Sequence, residues 1–117
     1  MKIAVTLSLA LLAMAPVIAA ESQLFAPGAK LETLAKEFVF TEGPASDADG
    51  NVLFTDQPND RIMKWGVDGK LSAWMQSCGR ANGLSFDKAG NLWACADERN
   101  ELWRIAPDKT KSVVVKD

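Results

Sequence analysis

From residue 41 onward the chain alternates short apolar runs with turn-forming residues, and the alternation recurs. Val52-Leu53-Phe54 and Leu92-Trp93-Ala94-Cys95 are continuous apolar runs. Arg61–Trp65 and Glu101–Ile105 mix apolar and charged positions. Between the runs lie Asp49-Gly50-Asn51, Val67-Asp68-Gly69, Ala89-Gly90-Asn91 and Pro107-Asp108. Asp-Gly and Gly-Asn pairs supply the positive φ angles that tight hairpins demand. The pattern predicts four short strands per unit. In the first unit a strand begins at Ala45–Ser46, followed by Asn51–Thr55, Arg61–Trp65 and Lys70–Met75, with a polar loop at Gln57–Asp60. In the second they are Gly83–Phe86, Asn91–Ala94, Glu101–Ile105 and Ser112–Val115, with the loop at Asp97–Asn100. The apolar second strands predict burial on both faces. Ahead of the first unit, Glu37–Phe40 reads as one further short strand.

The two units are copies. Glu42–Asp68 laid over Asn82–Asp108, an offset of 40, needs no gap and gives five identities in 27 positions. They are Gly43/Gly83, Asp47/Asp87, Gly50/Gly90, Asn51/Asn91 and Asp68/Asp108. Most fall at turns, where backbone chemistry is most demanding. A 40-residue period of four antiparallel strands marks a β-propeller blade. The expected fold is therefore all-β, a partial propeller of about two four-stranded blades. A blade cannot cover its own two faces, and closed propellers use roughly four to eight. The chain is thus expected to be an N-terminal portion of a longer propeller, or a partial one that assembles with copies of itself.

The start of the chain reads differently. Met1-Lys2 precedes an almost unbroken apolar or small-residue run from Ile3 to Ala20, with small residues suited to cleavage near Ala19 or Ala20. This is the pattern of a secretory signal peptide over residues 1–20, followed by a linker or arm over 21–33 and the blades over 34–117. Export to a periplasm or to the medium is expected, with no membrane attachment after cleavage. Removing twenty of the 117 residues leaves 97, so the 48% hydrophobic content overstates the core. Export would permit one disulfide between Cys78 and Cys95, and two buried reduced thiols are the alternative.

Composition removes several chemistries. The chain has no His, which excludes Ser-His-Asp and Cys-His catalysis and histidine metal ligation. A formal net charge of −2 without a basic run argues against nucleic acid as partner. Oxygen ligands remain. In a propeller the first strand of each blade lines a central channel, so equivalent positions of successive blades converge. Glu42 and Asn82 are such a pair, each followed by Gly and each placed just before its first strand. A carboxylate and an amide oxygen at one height form half of an oxygen-ligand site for a hard cation. Both residues as plain strand-end caps are the alternative. Trp65, Trp74, Trp93 and Trp103 read as packing between blades, the hairpin aspartates as turn formers, and Asp56 as a local hydrogen-bond acceptor.

The segments Phe40-Thr41-Glu42-Gly43-Pro44, Val52-Leu53-Phe54-Thr55-Asp56, Asn59-Asp60-Arg61-Ile62 and Arg80-Ala81-Asn82-Gly83-Leu84-Ser85-Phe86-Asp87 closely resemble the opening of the gluconolactonase, or SMP-30/regucalcin-like, family. The resemblance spans about residues 34–117. It implies a six-bladed propeller holding one divalent cation in its channel, Ca2+ first, with Mg2+, Mn2+ or Zn2+ as alternatives. It implies hydrolysis of a sugar lactone. Glu42 matches the family's first metal ligand. Asn82 matches a channel Asn that touches substrate and, in some members, the metal. Arg80 matches a substrate-contacting Arg of part of the family. The further ligands and the base have no counterpart in this sequence and are expected from the remaining blades of the same protein. No catalytic base is therefore assigned within these residues. The contrasting expectation is a non-catalytic exported propeller serving as a binding or scaffold module, since fold alone fixes no activity.

Overall fold

The computed structural model describes residues 24–117. The expected signal peptide, residues 1–20, lies outside them. Residues 24–34 form no strand; a turn there is closed by the Ala29 N–H donating to the Ala26 carbonyl at 2.9 Å. The unit Ala35–Asp117 holds two four-stranded antiparallel sheets, each a simple meander. Blade 1 is β1 (Thr41–Ser46), β2 (Val52–Asp56), β3 (Arg61–Trp65) and β4 (Leu71–Gln76). Blade 2 is β5 (Ala81–Phe86), β6 (Leu92–Ala96), β7 (Glu101–Ile105) and β8 (Lys111–Lys116). This is the expected all-β, partial-propeller architecture. The polar loops are single 3₁₀ turns, Gln57–Asn59 and Asp97–Arg99, each ended by a residue in the left-handed region, Asp60 and Asn100.

One hairpin design serves both blades. Asp47 Oδ1 accepts from the backbone N–H groups of Asp49 and Asn51 at 3.0 and 2.9 Å, and its Oδ2 accepts from Asn51 Nδ2 at 2.7 Å. Asp87 repeats this with Ala89 and Asn91 and also accepts from Trp93 Nε1 at 3.1 Å. A short carboxylate can satisfy turn N–H groups that the sheet ladder leaves unpaired, which is why Asp stands at this position twice. The hydrogen bonds from Asn91 and Trp93 hold the Asp87 carboxyl down at about 2. For Asp47, burial works against the charge, but the Asn51 hydrogen bonds prevail and its pKa is lowered.

The core lies between the two sheets. Leu53, Ile62, Leu92 and Ile105 are almost wholly buried, with Ala94 and Trp103 beside them. Burying such aliphatic side chains stabilises the fold by about 1.5–3 kcal/mol each. The expectation that the second strands bury both faces is corrected. Leu53 and Thr55 are buried on β2 while Val52 and Phe54 are only half-buried; on β6, Leu92 and Ala94 are buried while Cys95 is exposed. Each sheet has one neighbouring sheet among the described residues; on the second face of blade 1, Asp56 and Met63 are buried as well, with Phe38 packed on Phe54.

The expected strand at Glu37–Phe40 does not form. That segment is instead tied down through side chains. Asp56, fully buried, accepts from the Val39 and Phe40 N–H groups at 3.1 and 3.4 Å. It also accepts from Asn59 Nδ2 at 2.8 Å and from Arg61 Nε and Nη2 at 2.9 and 2.7 Å. Phe38 packs edge-on against Phe54 with ring centroids 5.2 Å apart. Burial opposes the Asp56 charge, yet these donors hold its carboxyl below the usual range. Asp56 is thus a hydrogen-bond acceptor, as expected, with a reach beyond its own strand.

No disulfide forms. Cys78 is buried in the core and Cys95 is exposed. Burial, with the nearby Asp60 carboxylate, pushes the Cys78 thiol up to about 11.

Two measurements test these assignments. Replacing Asp56 by Ala strands Arg61 and two backbone donors, and should cost about 3 kcal/mol or more in urea unfolding. Carboxyls more acidic in the folded chain than in the unfolded one stabilise it above the ordinary carboxyl range and cease to do so as pH falls through their folded values. With Asp47, Asp56, Asp87 and Asp108 all lowered and Asp87 at about 2, stability should decline from about pH 4 downward to about pH 2. The Asp87→Asn variant should show a shallower decline.

Candidate functional site

The first strands of the two blades, β1 and β5, pack directly against each other. The point of contact is Gly43. A Cβ built there would lie 2.9 Å from the Asn82 carbonyl oxygen and 3.0 Å from the Gly83 Cα, so only a residue without a side chain fits. Its φ of +59° independently favours glycine. Backbone contact between the Glu42-Gly43 and Asn82-Gly83 segments sets the two candidate ligands at one level on neighbouring strands.

Both segments are also irregular at the same place, though only Gly43 of the two glycines has a positive φ. The β1–β2 register breaks between Glu42 and Ala45, and the β5–β6 register breaks between Ala81 and Leu84. The expectation that Glu42 and Asn82 precede their strands is corrected: each lies inside its strand, beside a bulge. Gly-Pro reads as a strand breaker, but a bulge tolerates both a positive φ and a missing N–H. Buried Thr55 pins the bulge, its Oγ1 donating to the Glu42 carbonyl at 3.0 Å.

The surroundings of the three candidate residues differ. Glu42 is half-buried and borders a hollow with Thr41, Pro44, Val52 and Phe54. Asn82 is exposed and borders another with Cys95, Asn100, Leu102 and Val115. Arg80 is exposed at the crossover between blades with φ +50°. Its N–H donates to Asp60 Oδ1 at 2.7 Å, and its Nη2 donates to Gln57 Oε1 at 3.4 Å. Asp60 therefore braces the turn that presents Arg80. The small residues after Glu42 and Asn82 were expected to let backbone pack close behind them, as Gly43 does; sequence reading missed the roles of Thr55 and Asp60.

Glu42 and Asn82 suit a hard cation in kind, offering a carboxylate and an amide oxygen. They fall short in number, since Ca2+ takes six to eight oxygens. Among the described residues no group of three or more Cys, Asp or Glu side chains is arranged to hold a metal. The two residues fit as part of a ligand shell. The tryptophans divide: Trp103 is buried in the interblade core and Trp74 packs against it, as expected, whereas Trp65 and Trp93 are only half-buried, on the opposite faces.

No family model matches the chain. It is 26% identical over 100 residues to the gluconolactonase of Zymomonas mobilis, covering 73% of this chain and 28% of that protein. It superposes with a TM-score of 0.71 on the X-ray structure of a protein described as a gluconolactonase, at 33% identity, over 78% of this chain and 32% of the other. It superposes at 0.67 on a gluconolactonase of Xanthomonas campestris, at 25% identity, over 71% of this chain and 28% of the other. The chain spans about a third or less of the length of these relatives. The resemblance to gluconolactonases expected from the motifs is present in both sequence and fold.

Gly43 provides a direct test of the contact. Gly43→Ala should cost about 2 kcal/mol or more, from the positive φ and from collision with the β5 backbone. Gly69→Ala, at φ +74° with open space around it, carries only the conformational penalty of about 1 kcal/mol. Equal losses in thermal unfolding would mean that β1 and β5 do not touch.

Proposed function

We propose that this chain forms the first two blades of an exported, metal-dependent sugar-lactone hydrolase and does not turn over substrate by itself. The observation that carries the reading is the pairing of Glu42 and Asn82 at matching bulges whose backbones touch, in a chain similar to gluconolactonases in sequence and fold. In this reading Glu42 and Asn82 hold a divalent cation, Ca2+ first, together with oxygens from further blades. When bound, the cation would polarise the lactone carbonyl.

The chain's own residues have narrower tasks. Glu42 contributes a carboxylate, its backbone steadied from behind by the hydrogen bond of Thr55 to its carbonyl. Asn82 offers either its amide oxygen or its N–H. Arg80 binds ring hydroxyls or the carboxylate of the opened product, its planar fork matching the latter. The acid and base that move protons lie outside these residues. Export to a periplasm or to the medium belongs to the same reading, supported by the N-terminal sequence pattern.

The test is hydrolysis of glucono-1,5-lactone by the full-length protein, with and without a chelator. Activity should vanish with the chelator and return with Ca2+. Glu42→Gln should weaken the metal by at least the roughly 10- to 100-fold that loss of a supporting group costs such a site. Unchanged rates under both treatments would remove Glu42 from any metal role.

A further inference from the structure

The polar loop of blade 1 holds the chain on its way into both first strands. Phe40 and Arg80 occupy the same position of the 40-residue repeat, each two residues before a candidate ligand, Glu42 or Asn82. Gln57 touches both. Its backbone N–H donates to the Phe40 carbonyl at 3.1 Å, and its side-chain Oε1 accepts from Arg80 Nη2 at 3.4 Å. At the far end of the same loop, Asp60 Oδ1 accepts from the Arg80 N–H at 2.7 Å, and the Asp60 carbonyl accepts from the Cys78 N–H at 3.4 Å. From the blade 2 side, the Glu98 N–H donates to the Gly79 carbonyl at 3.1 Å. The crossover is thereby fixed in an unusual shape: Ser77, Gly79 and Arg80 have φ of +55°, +68° and +50°. Left-handed backbone is disfavoured for every residue that has a side chain, least for Asn and Asp. An arginine has no backbone advantage at such a position, so what it contributes lies in its guanidinium.

Among the described residues, Gln57 Oε1 is the hydrogen-bond partner of that guanidinium, and no carboxylate forms an ion pair with it. An exposed contact of this length adds little to folding stability, because water replaces it when it opens. Its consequence is direction. With the Arg80 backbone locked by Asp60, the Gln57 amide oxygen turns the side chain back toward blade 1, beside the segment that leads into Glu42. The remaining guanidinium N–H groups and the Gln57 amide N–H groups then form one cluster of donors, suited to acceptor oxygens. Asp97 stands at the equivalent position of blade 2, so the amide is a departure from the shared backbone plan. We propose that Gln57 is a positioning residue of the candidate site, aiming the Arg80 guanidinium at the oxygens of the sugar lactone. The inference rests on the lactonase reading and on the place of Arg80 within it.

The experiment uses the full-length protein and steady-state hydrolysis of glucono-1,5-lactone. Arg80→Ala should raise KM by about tenfold or more, the loss of hydrogen bonds made by a charged group. Gln57→Met keeps the length of the side chain without its acceptor. It should raise KM roughly three- to tenfold, the scale of one net hydrogen bond, with kcat and the thermal unfolding midpoint unchanged. Gln57→Glu restores an acceptor and should return KM for the uncharged lactone close to the wild-type value. Adding Gln57→Met to Arg80→Ala should change KM no further, because the amide acts through the guanidinium. A Gln57 with a purely structural role would instead lower the unfolding midpoint and add its loss to that of Arg80→Ala, which overturns the proposal. If Arg80→Ala raises KM and Gln57→Met does not, the inference falls while the lactonase reading stands. A full-length protein that leaves the lactone intact, or an Arg80→Ala variant with unchanged KM, removes that reading of Arg80 and this inference with it.

Discussion

Everything in this fold depends on the contact between two sheets across Leu53 and Ile62 on one side and Leu92, Ala94, Trp103 and Ile105 on the other. Hydrogen bonds complete each sheet internally but say nothing about how one sheet sits on the next. The apolar face does, because it is the part that water disfavours and that packs in only a few ways. Once the sheets are stacked, β1 and β5 have nowhere to go but against each other. The backbone approach at Gly43, and with it the relation of Glu42 to Asn82, follows from packing some distance away.

The same repeat position can face different neighbours, and the residues reflect it. Asp56 and Ala96 are equivalents at the end of the second strand, and Arg61 and Glu101 are equivalents at the start of the third. On blade 1 this position faces the segment around Val39, whose N–H groups repay the burial of a carboxylate that also holds Arg61. On blade 2 it faces the crossover from blade 1, where Ala96 lies against Gly79. A carboxylate there would be desolvated without donors, and such a burial costs several kcal/mol. Glu101 meanwhile keeps to its own strand and accepts from Trp103 Nε1 at 2.6 Å, with Lys111 Nζ 3.6 Å over the Trp103 ring. The blades share a backbone plan and differ where their neighbours differ.

This explains what could be read in the sequence. The hairpins were legible because their requirements are local: Asp47 and Asp87 accept from N–H groups two and four residues on, and any chain that makes this turn needs such a residue. The third strands, Arg61–Trp65 and Glu101–Ile105, match to the residue because turns bound them at both ends. The first strands began earlier than the pattern indicated, since the Glu42–Ala45 bulge hides in what reads as a break. The segment Glu37–Phe40 has strand-like composition but no ladder to join, and its N–H groups go to a side chain instead. Arg80 was found through resemblance, while the carboxylate that braces it, Asp60, is twenty residues away and visible only once the crossover is folded.

The difference between Glu42 and Asn82 is itself informative. The two occupy the same repeat position, each followed by glycine and beside a register break of its strand. Two carboxylates brought close together would repel, and one would be driven toward its protonated form. A carboxylate in one blade and an amide in the next carry a single negative charge between them. The repeat therefore supplies geometry and the departures from it supply chemistry, and a site built this way is best sought where two copies of a motif agree in backbone and disagree in side chain.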